Sequence, residues 1–518
     1  MLPYITTFIA ISIISFLVGR GVISVAERFH IVDSPDGVRK LQSKPIPLLG
    51  GTAIFISFFT GLAVFLPTLL SGDLDISHWI GFFAGASVLM LGGFLDDKYD
   101  LNPRIQIIFP IIASIAPIIG GVGIERLSNP FGGIFAVPAL LSAALIMVWL
   151  LGMMYTTKLL DGVDGLVSGL GVIGALVIFL FTSTTRYFQP DIALAAWIFS
   201  AACLGFLVLN FNPAKIYLGE GGSLLIGYVL GVLAIISGGK IAIALLVMGL
   251  PVLDVAWTIV RRLLRGRNPF RFADRSHLHH RLLDLGLSPR QTVVIFYAFA
   301  AAFGASGLFL QSRGKLVALS LLLAIMLALV IFFSQYERRK RPRLLFHVCC
   351  APCASYSTLK KLLPRYRVTW YFLNSNLSSF LEYEARLKTA EKAARLLGVE
   401  LIAVPYDHEA WSEIVKGHED DPERGDRCRI CYRDRLSNAY KFAQDGGYEF
   451  FSTSLLVSPY KDDKAIREIC RSLEKEGGPK FHDEDFQADD GFHRSIAWAK
   501  EKGLYLQKYC GCEFSLRK

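Results

Sequence analysis

The sequence has few charged residues for its length, and almost no cysteine in its first two thirds. Asp, Glu, Lys and Arg make up 19% of the 518 residues, against 53% hydrophobic residues. This composition excludes an ordinary soluble globular protein and favours a membrane protein. Of the nine cysteines, only Cys203 precedes residue 349, so cysteine chemistry is confined to the end of the chain.

Apolar runs of membrane-spanning length are absent after residue 335. Before it, such runs are centred near residues 14, 58, 87, 114, 145, 174, 200, 228, 249, 300 and 325, each near the roughly 20 residues that cross a bilayer core. The first run lacks a basic start and a cleavage site, which predicts a retained span rather than a signal peptide. The basic stretch SQYERRKRPR at 334–343 ends the last run. We therefore predict a multi-pass α-helical membrane domain of about eleven spans at 1–335, a basic linker at 336–343 and a soluble domain at 344–518.

Lys and Arg gather in alternate loops, after the first, third, fifth, seventh, ninth and last apolar runs. The positive-inside rule makes these loops cytoplasmic and gives the net charge of +10 an explanation other than nucleic-acid binding. The protein is thus predicted to lie in the cell membrane with its C-terminal domain in the cytoplasm. That compartment is reducing, which disfavours a framework of structural disulfides.

The same loops carry unusual polar side chains. They are Asp96 and Asp97 after the third run, Asp161 and Asp164 in KLLDGVDGL, Glu220 in YLGEGG, and His277, His279 and His280 in SHLHHRL. Charged groups at a membrane interface are costly, so four such groups on one side indicate a shared site. Carboxylates without thiols suit Mg²⁺, which often bridges protein to substrate phosphates. The histidines favour a phosphate or nucleotide cradle, with zinc as the alternative.

These motifs resemble the polyprenyl-phosphate N-acetylhexosamine-1-phosphate transferases, the glycosyltransferase 4 (MraY-like) family. The similarity runs from about Asp33 to Gly286, through DSPDGVRKLQSKPIPLLGG, GGFLDDKYDL, LLDGVDGL, NFNPAKIYLGEGGS and DRSHLHHRLLDLG. It implies Mg²⁺-dependent attack of polyprenyl phosphate on a UDP-HexNAc, with release of UMP. It further implies an acidic pair at Asp96 and Asp97 and nucleotide binding by the three histidines.

The chain departs from this family's pattern near its acidic motifs. Tyr155 and Lys158 stand where the family has Asn, and Glu220 stands where it has Asp. Glu220 keeps a carboxylate that can hold Mg²⁺ together with Asp161 and Asp164. A cation at Lys158 replaces a metal contact or a phosphate contact.

The region after 343 alternates short apolar runs with amphipathic ones, which predicts an α/β domain with a parallel sheet. Its cysteines fall at the predicted ends of strands: Cys349, Cys350 and Cys353 follow the first strand, and the pair Cys428 and Cys431 precedes a helix. Ligands bind at such ends in parallel sheets.

Two adjacent thiols and a distant C-x-x-C supply four soft ligands, which fit either a structural zinc ion or an iron–sulfur cluster. Cys510 and Cys512 form a separate pair, close enough in sequence for a strained, readily reduced disulfide.

The motifs HVCCAPC, FLNSNLSSFLEYEAR, GDRCRICYRDRL, FSTSLLVSPYKD and LYLQKYCGCEFSL resemble the epoxyqueuosine reductases of the QueH type across residues 344–516. The resemblance implies reduction of epoxyqueuosine in a tRNA anticodon. It implies a [4Fe-4S] cluster on Cys349, Cys350, Cys428 and Cys431, a redox-active disulfide between Cys510 and Cys512, and an additional iron near Cys353. Basic residues around the motifs suit anticodon phosphates; they are Arg424, Arg427, Arg429, Arg433, Arg435 and Lys461.

Three hypotheses follow. Both halves are active enzymes, or the membrane half with its altered Lys158 and Glu220 is only an anchor. In the third, the C-terminal domain is a zinc-stapled tRNA-binding module.

Overall fold

The computed structural model describes residues 2–34, 44–72, 74–128, 133–184, 188–237, 241–264, 266 and 277–515. The motif residues 35–43 and 267–276 lie outside these ranges. The chain divides into two compact units, Met1–Val330 and Ile331–Lys518.

The first unit is helical, with two short antiparallel strand pairs, Val32–Asp33 with Ile46–Pro47 and Arg126–Ser128 with Ile134–Ala136. Its helices are Leu2–Arg28, Gly51–Val64, Leu66–Leu69, Ile76–Tyr99, Pro103–Gln106, Ile108–Ile119, Ala139–Leu160, Leu166–Thr182, Pro190–Asn210, Gly219–Ile236, Ile241–Val247, Gly249–Leu264, Leu278–Asp284 and Pro289–Phe309. The helix Ser312–Lys340 carries the chain from the first unit into the second.

Every one of the eleven predicted apolar runs falls on a helix. Seven of the helices in the described ranges are long and apolar enough to cross a membrane, and the bent pair Ile241–Val247 and Gly249–Leu264 would be an eighth span. The remaining runs form the shorter apolar helices Gly51–Val64, Pro103–Ile119 and Leu166–Thr182. The prediction of a polytopic helical domain is confirmed, and the predicted count of about eleven spans is roughly compatible with these helices.

Glycines let the helices of this unit touch backbone to backbone. A Cβ built on Gly93 would lie 2.1 Å from the nitrogen of Gly221, and one built on Gly51 would lie 2.2 Å from the Cα of Gly222. Any larger residue would push these helices apart. The helix Gly219–Ile236, which receives both contacts, is buried along almost its whole length.

The second unit is built on a five-stranded, entirely parallel sheet. Its strands lie in the order Glu400–Ala403, Arg367–Phe372, Arg343–Val348, Phe450–Thr453 and Lys480–Phe481. The strand Arg343–Val348 is central and buried, as its apolar sequence predicts. The strand order reverses between Arg343–Val348 and Phe450–Thr453, and open parallel sheets bind ligands in the crevice outside the carboxyl ends of the strands at such a reversal.

Helices of the second unit cover this sheet. They are Ala351–Ser357, Thr358–Leu362, Phe380–Leu397, His408–Ile414, Asp426–Asp445, Ser454–Val457, Asp463–Leu473, Ala488–Asp490, Gly491–Glu501 and Glu513–Ser515. Local sequence fixes several ends: Asp407 and Asp462 cap helices by accepting backbone N–H groups at 3.0 Å, and Gly398 ends one in the left-handed conformation with φ of 64°.

One predicted boundary is wrong. The C-x-x-C pair was expected just before a helix, but Cys428 and Cys431 lie inside the first turns of Asp426–Asp445. This helix begins earlier because the extended Gly425 ends the preceding turn and polar residues then continue the helix without an apolar signal.

Candidate functional site

The acidic pair of the membrane unit ends the helix Ile76–Tyr99. The backbone N–H of Glu220 donates to Asp97 Oδ1 at 3.0 Å, which fixes Asp97 against the start of the helix Gly219–Ile236. Gly219 permits this approach, because a Cβ built there would lie 2.4 Å from Asp97 Oδ2. The structure therefore brings the predicted Asp97 and Glu220 together.

A line of side-chain contacts connects Asp96 to Glu220. Asp96 Oδ1 accepts the backbone N–H of Leu101 at 3.0 Å and the amide of Gln106 at 2.6 Å. Gln106 Oε1 lies 3.5 Å from Lys158 Nζ, and Lys158 forms an ion pair with Glu220. Glu220, a predicted Mg²⁺ ligand, is thus already paired with a cation.

The DGVDG loop approaches the same carboxylates. Asp164 Oδ2 accepts the side-chain amide of Asn212 at 2.9 Å and the backbone N–H of Ala214 at 3.0 Å, and these bonds orient the loop. Burial, followed by the negative charges of Glu220 and the neighbouring aspartates, raises the pKa of Asp161 to about 8. The carboxylates of Glu220, Asp97 and Asp164 are therefore close enough to Asp161 to interact with it electrostatically.

The histidine cluster lies beside that loop. Asp254 Oδ2 holds His277 Nδ1 at 2.8 Å, and the ring of His279 is parallel to that of His277 with 5.7 Å between centroids. A Cβ on Gly162 would lie 3.1 Å from His279 Nε2 and 3.5 Å from His280 Nε2. Among the described residues neither ring nitrogen of His279 has a hydrogen-bond partner, although the side chain is buried. Burial lowers the pKa of His279, so this ring is neutral at pH 7 with both nitrogens available to a ligand.

The first thiols of the second unit lie in the crevice at the reversal of the sheet. Cys349 directly follows the central strand, and its backbone N–H donates to Ser454 Oγ at 3.0 Å. Ser454, which follows the adjacent strand, also donates to Cys349 Sγ at 3.3 Å. Cys350 Sγ lies 3.9 Å from Cys349 Sγ, so the adjacent pair presents two thiols at the crevice.

The C-x-x-C thiols approach from the helix Asp426–Asp445. Cys428 Sγ accepts the backbone N–H of Arg424 at 3.3 Å. Cys431 packs in a small apolar cluster with Trp411 and Cys512. This packing brings the C-terminal cysteine pair to the C-x-x-C motif.

Arg435 supplies a buried positive charge beside these thiols. Its guanidinium donates to Asn374 Oδ1 at 2.7 Å and lies 3.2 Å from His347 Nε2, and the residue is only 2% exposed. Burial disfavours the charged form, but negative charge at Cys431 and Cys349 outweighs it and raises the pKa of Arg435. A permanent cation suits a site that carries thiolates.

The Cys510 loop is fixed by several contacts. Lys461 Nζ donates to Cys510 Sγ at 2.6 Å, and the buried Arg386 donates to the carbonyl oxygen of Cys510 at 3.0 Å. Gly511 has φ of 128°, and a Cβ there would lie 2.2 Å from Leu377 Cδ2. Only glycine fits between the two cysteines.

The cysteines of this region form no disulfide bond, and Cys428, Cys431 and Cys512 are protonated at neutral pH. Cys510 and Cys512 are not bonded to each other, and burial raises the pKa of Cys431 to about 11 and raises those of Cys428 and Cys512. Within the described ranges no group of three or more His, Cys, Asp or Glu side chains is placed to hold a metal ion. The sulfur donors and buried cations still fit a soft, thiolate-bound centre, provided that binding draws the thiols together and releases protons.

Two arginines predicted to face RNA do not. Arg427 is 3% exposed and donates to the carbonyl oxygens of His418 and Glu419, and Arg435 is buried as described. The expectation for these two residues is wrong, because charge in a sequence does not reveal burial against backbone carbonyls.

Sequence reasoning also missed residues that organise both sites. Gln106 and Asp254 were given no role, since a single polar residue in a helix is usually unremarkable, although Asp254 fixes His277. His347 and Arg386 lie in the motifs HVCCAPC and FLNSNLSSFLEYEAR but were given no role either.

The two units thus define a class of chain: a multi-helix membrane domain with an acidic and histidine-bearing site, followed by a parallel α/β domain with thiols at its crevice. The family model for Glycosyl transferase family 4 matches residues 79–238, and that for Epoxyqueuosine reductase QueH matches residues 344–518.

Known proteins resemble each part separately. The probable undecaprenyl-phosphate N-acetylglucosaminyl 1-phosphate transferase of Bacillus subtilis (strain 168) is 31% identical over 340 residues, covering 64% of this chain and 90% of that protein. Epoxyqueuosine reductase QueH of Streptococcus pyogenes serotype M1 is 33% identical over 183 residues, covering 34% of this chain and 71% of that protein. The QueH of Staphylococcus aureus (strain Mu50) is 35% identical over 191 residues, covering 35% and 79%.

The chain therefore belongs to two families, as a fusion of a polyprenyl-phosphate HexNAc-1-phosphate transferase-like domain with a QueH-like domain. Both resemblances drawn from the motifs are confirmed.

Proposed function

We propose that the C-terminal unit reduces epoxyqueuosine to queuosine in tRNA. The observation that carries the proposal is the meeting of three separate segments at one crevice: Cys349 after the central strand, Cys431 on its helix, and the loop of Cys510 and Cys512. The QueH of S. pyogenes, which resembles this part of the chain, bears the name epoxyqueuosine reductase.

The dithiol balances the reaction. Removing the epoxide oxygen as water requires two electrons and two protons, and oxidation of Cys510 and Cys512 to a disulfide supplies both. Lys461, which holds Cys510, keeps positive charge at the thiolate that forms during this exchange. An external reductant must then restore the dithiol.

Cys349, Cys350, Cys428 and Cys431 would hold a [4Fe-4S] cluster, and Cys353 would lie near an additional iron. Bound there, such a centre supplies electron transfer and Lewis acidity at the crevice. Arg435 and Lys461 balance the negative charge that four thiolates bring.

The test uses the full-length protein purified without oxygen. We expect a brown protein that contains sulfide and a slight molar excess of iron over it, and conversion of epoxyqueuosine in tRNA that Cys510→Ser abolishes, whereas Cys470→Ser, outside the crevice, leaves it intact. A colourless protein with stoichiometric zinc would instead support the zinc-stapled tRNA-binding module.

We further propose that the membrane unit transfers HexNAc-1-phosphate from a UDP-sugar to polyprenyl phosphate. Asp97, Asp161 and Asp164 would hold Mg²⁺, which supplies charge stabilisation at the diphosphate. The neutral His279 beside Gly162 would receive the nucleotide. Release of UMP from UDP-GlcNAc that requires both Mg²⁺ and polyprenyl phosphate tests this function; its absence with every UDP-HexNAc would favour a membrane anchor.

The proposed location is the cell membrane, with the C-terminal unit in the cytoplasm where tRNA is present. Protease added to intact spheroplasts should leave a C-terminal tag uncut, and the same protease should remove it from inverted vesicles. Cleavage of the tag in intact spheroplasts would refute this topology.

A further inference from the structure

Three departures from the family's pattern, those near the acidic motifs, lie close together around Lys158. Lys158 is paired with Glu220, and its ammonium lies 5.8 Å from the centre of the Tyr155 ring. Tyr155 precedes Lys158 by about one turn of the helix Ala139–Leu160, whereas Glu220 is 62 positions away in sequence. Changes that look independent in the sequence form one structural unit.

The pair has little freedom to separate. The side chains of Lys158 and Glu220 are only 24% and 16% exposed, and Gln106 Oε1 lies 3.5 Å from the ammonium. Glu220 is also anchored through its backbone, which donates to Asp97. The helices that carry Lys158 and Glu220 are also in close contact, because a Cβ built on Gly227 would lie 2.5 Å from the carbonyl oxygen of Met153.

A carboxylate that already neutralises an ammonium is a poor ligand for Mg²⁺. To bind the metal, Glu220 would have to give up its ion pair and leave Lys158 unpaired next to a divalent cation. Asp97 and Asp161 carry no such partner in the hydrogen bonds described above.

We propose that Lys158 is a resident cation of the transferase site, that Glu220 is its counter-ion, and that Glu220 is therefore not a ligand of the divalent metal, which is left to the aspartates named above, Asp97, Asp161 and Asp164. The proposal rests on the transferase function proposed above. The ammonium of Lys158 then supplies one permanent positive charge near the substrate diphosphate.

Binding of Mn²⁺ alone to the full-length protein, followed by electron paramagnetic resonance in detergent without sugar nucleotide or lipid, tests this. Lys158→Gln frees the Glu220 carboxylate and should tighten Mn²⁺ binding about tenfold, since it removes a nearby like charge. The double variant Lys158→Gln with Glu220→Gln loses cation and counter-ion together and should bind Mn²⁺ within about threefold of the wild type.

Two comparisons frame the result. Lys98→Gln removes an exposed lysine close to the acidic pair and should change the affinity less than about twofold, whereas Asp97→Asn should weaken binding at least about tenfold. The proposal is overturned if the double variant binds Mn²⁺ ten times more weakly, because Glu220 is then a ligand. Unchanged binding by Asp97→Asn would overturn it as well.

Thermal unfolding of the metal-free protein gives a second readout. Neutralising only Lys158 or only Glu220 leaves the other charge unpaired, so each single variant should lower the midpoint temperature of unfolding. The double variant should recover part of this loss. If a single variant fails to fold, a folded double variant supports the pairing. Because no step uses substrate, inactivity toward UDP-sugars would count against the transferase function without altering these results.

Discussion

The buried thiol of Cys431 should make the metal-free protein sensitive to alkali. Burial raises its pKa from an ordinary value of 9.0 to about 11, and the residue is 7% exposed. In the unfolded chain the thiol ionises at the ordinary value, so the stabilisation is complete below about pH 9 and disappears as the pH approaches 11. At about 1.36 kcal/mol per unit, two units amount to about 2.7 kcal/mol of the free energy of unfolding.

Chemical denaturation of the reduced, chelator-treated protein, followed by tryptophan fluorescence, measures this loss. Trp411 packs against Cys431 and reports locally. Cys431→Ser keeps the size of the side chain but removes the titration, so its unfolding free energy should fall less steeply than that of the wild type between pH 9 and 11, by up to about 1.4 kcal/mol per pH unit.

Cys470→Ser gives a second, independent case. Cys470 is fully buried in the helix Asp463–Leu473, and burial raises its pKa even further. The folded protein keeps this thiol protonated from pH 9 to 11 while the unfolded chain ionises it, so Cys470→Ser should also flatten the slope in this range, and only its effect should continue above pH 11. An alkaline slope in Cys431→Ser equal to that of the wild type would refute the assignment of the loss to Cys431.

Three further outcomes are expected. Lys461→Met should slow alkylation of Cys510 by iodoacetamide at pH 7.5 about tenfold or more, because it removes the ammonium that stabilises the thiolate. Lys508→Met, which changes an exposed lysine, should leave the alkylation rate unchanged. Equal rates in the two variants would contradict the role of Lys461. Gly511→Ala should destabilise the C-terminal unit by about 1 to 3 kcal/mol in urea denaturation. This loss should be larger than that of Gly503→Ala, because a Cβ on Gly503 would have no contact closer than 3.7 Å. The Fe²⁺ affinity of the reduced metal-free protein, measured by chelator competition, should rise about tenfold per pH unit for each thiol that must ionise, and a flat profile between pH 6 and 8 would show that the thiols are already ionised.

Much of the C-terminal fold could be predicted from apolar runs. Arg343–Val348 is predicted to be a buried parallel strand because four of its six side chains are apolar, and the cysteines that follow it must lie at the edge where such sheets bind ligands. The start of Asp426–Asp445 was placed too late, because its first turn is polar and has no amphipathic pattern.

The membrane unit was predictable in class and in the positions of its apolar helices, but not in the lengths of those helices. Hydropathy located every apolar helix, since apolar content alone marks such segments. Gly51–Val64 and Leu166–Thr182 are nevertheless short for full spans. Tertiary contacts decide where each helix ends. An average of hydropathy over a sequence window contains no information about those contacts.

The sequence by itself determined the two families, because the types and spacings of their motif residues are specific, and it predicted an acidic site around Asp97 and Asp161 and a thiol site around Cys349 and Cys431. Only the tertiary structure decided which charges meet. It buries Arg435 among thiols and pairs Lys158 with Glu220 across 62 positions. A side chain's partners depend on distances between elements, and no local pattern encodes those distances.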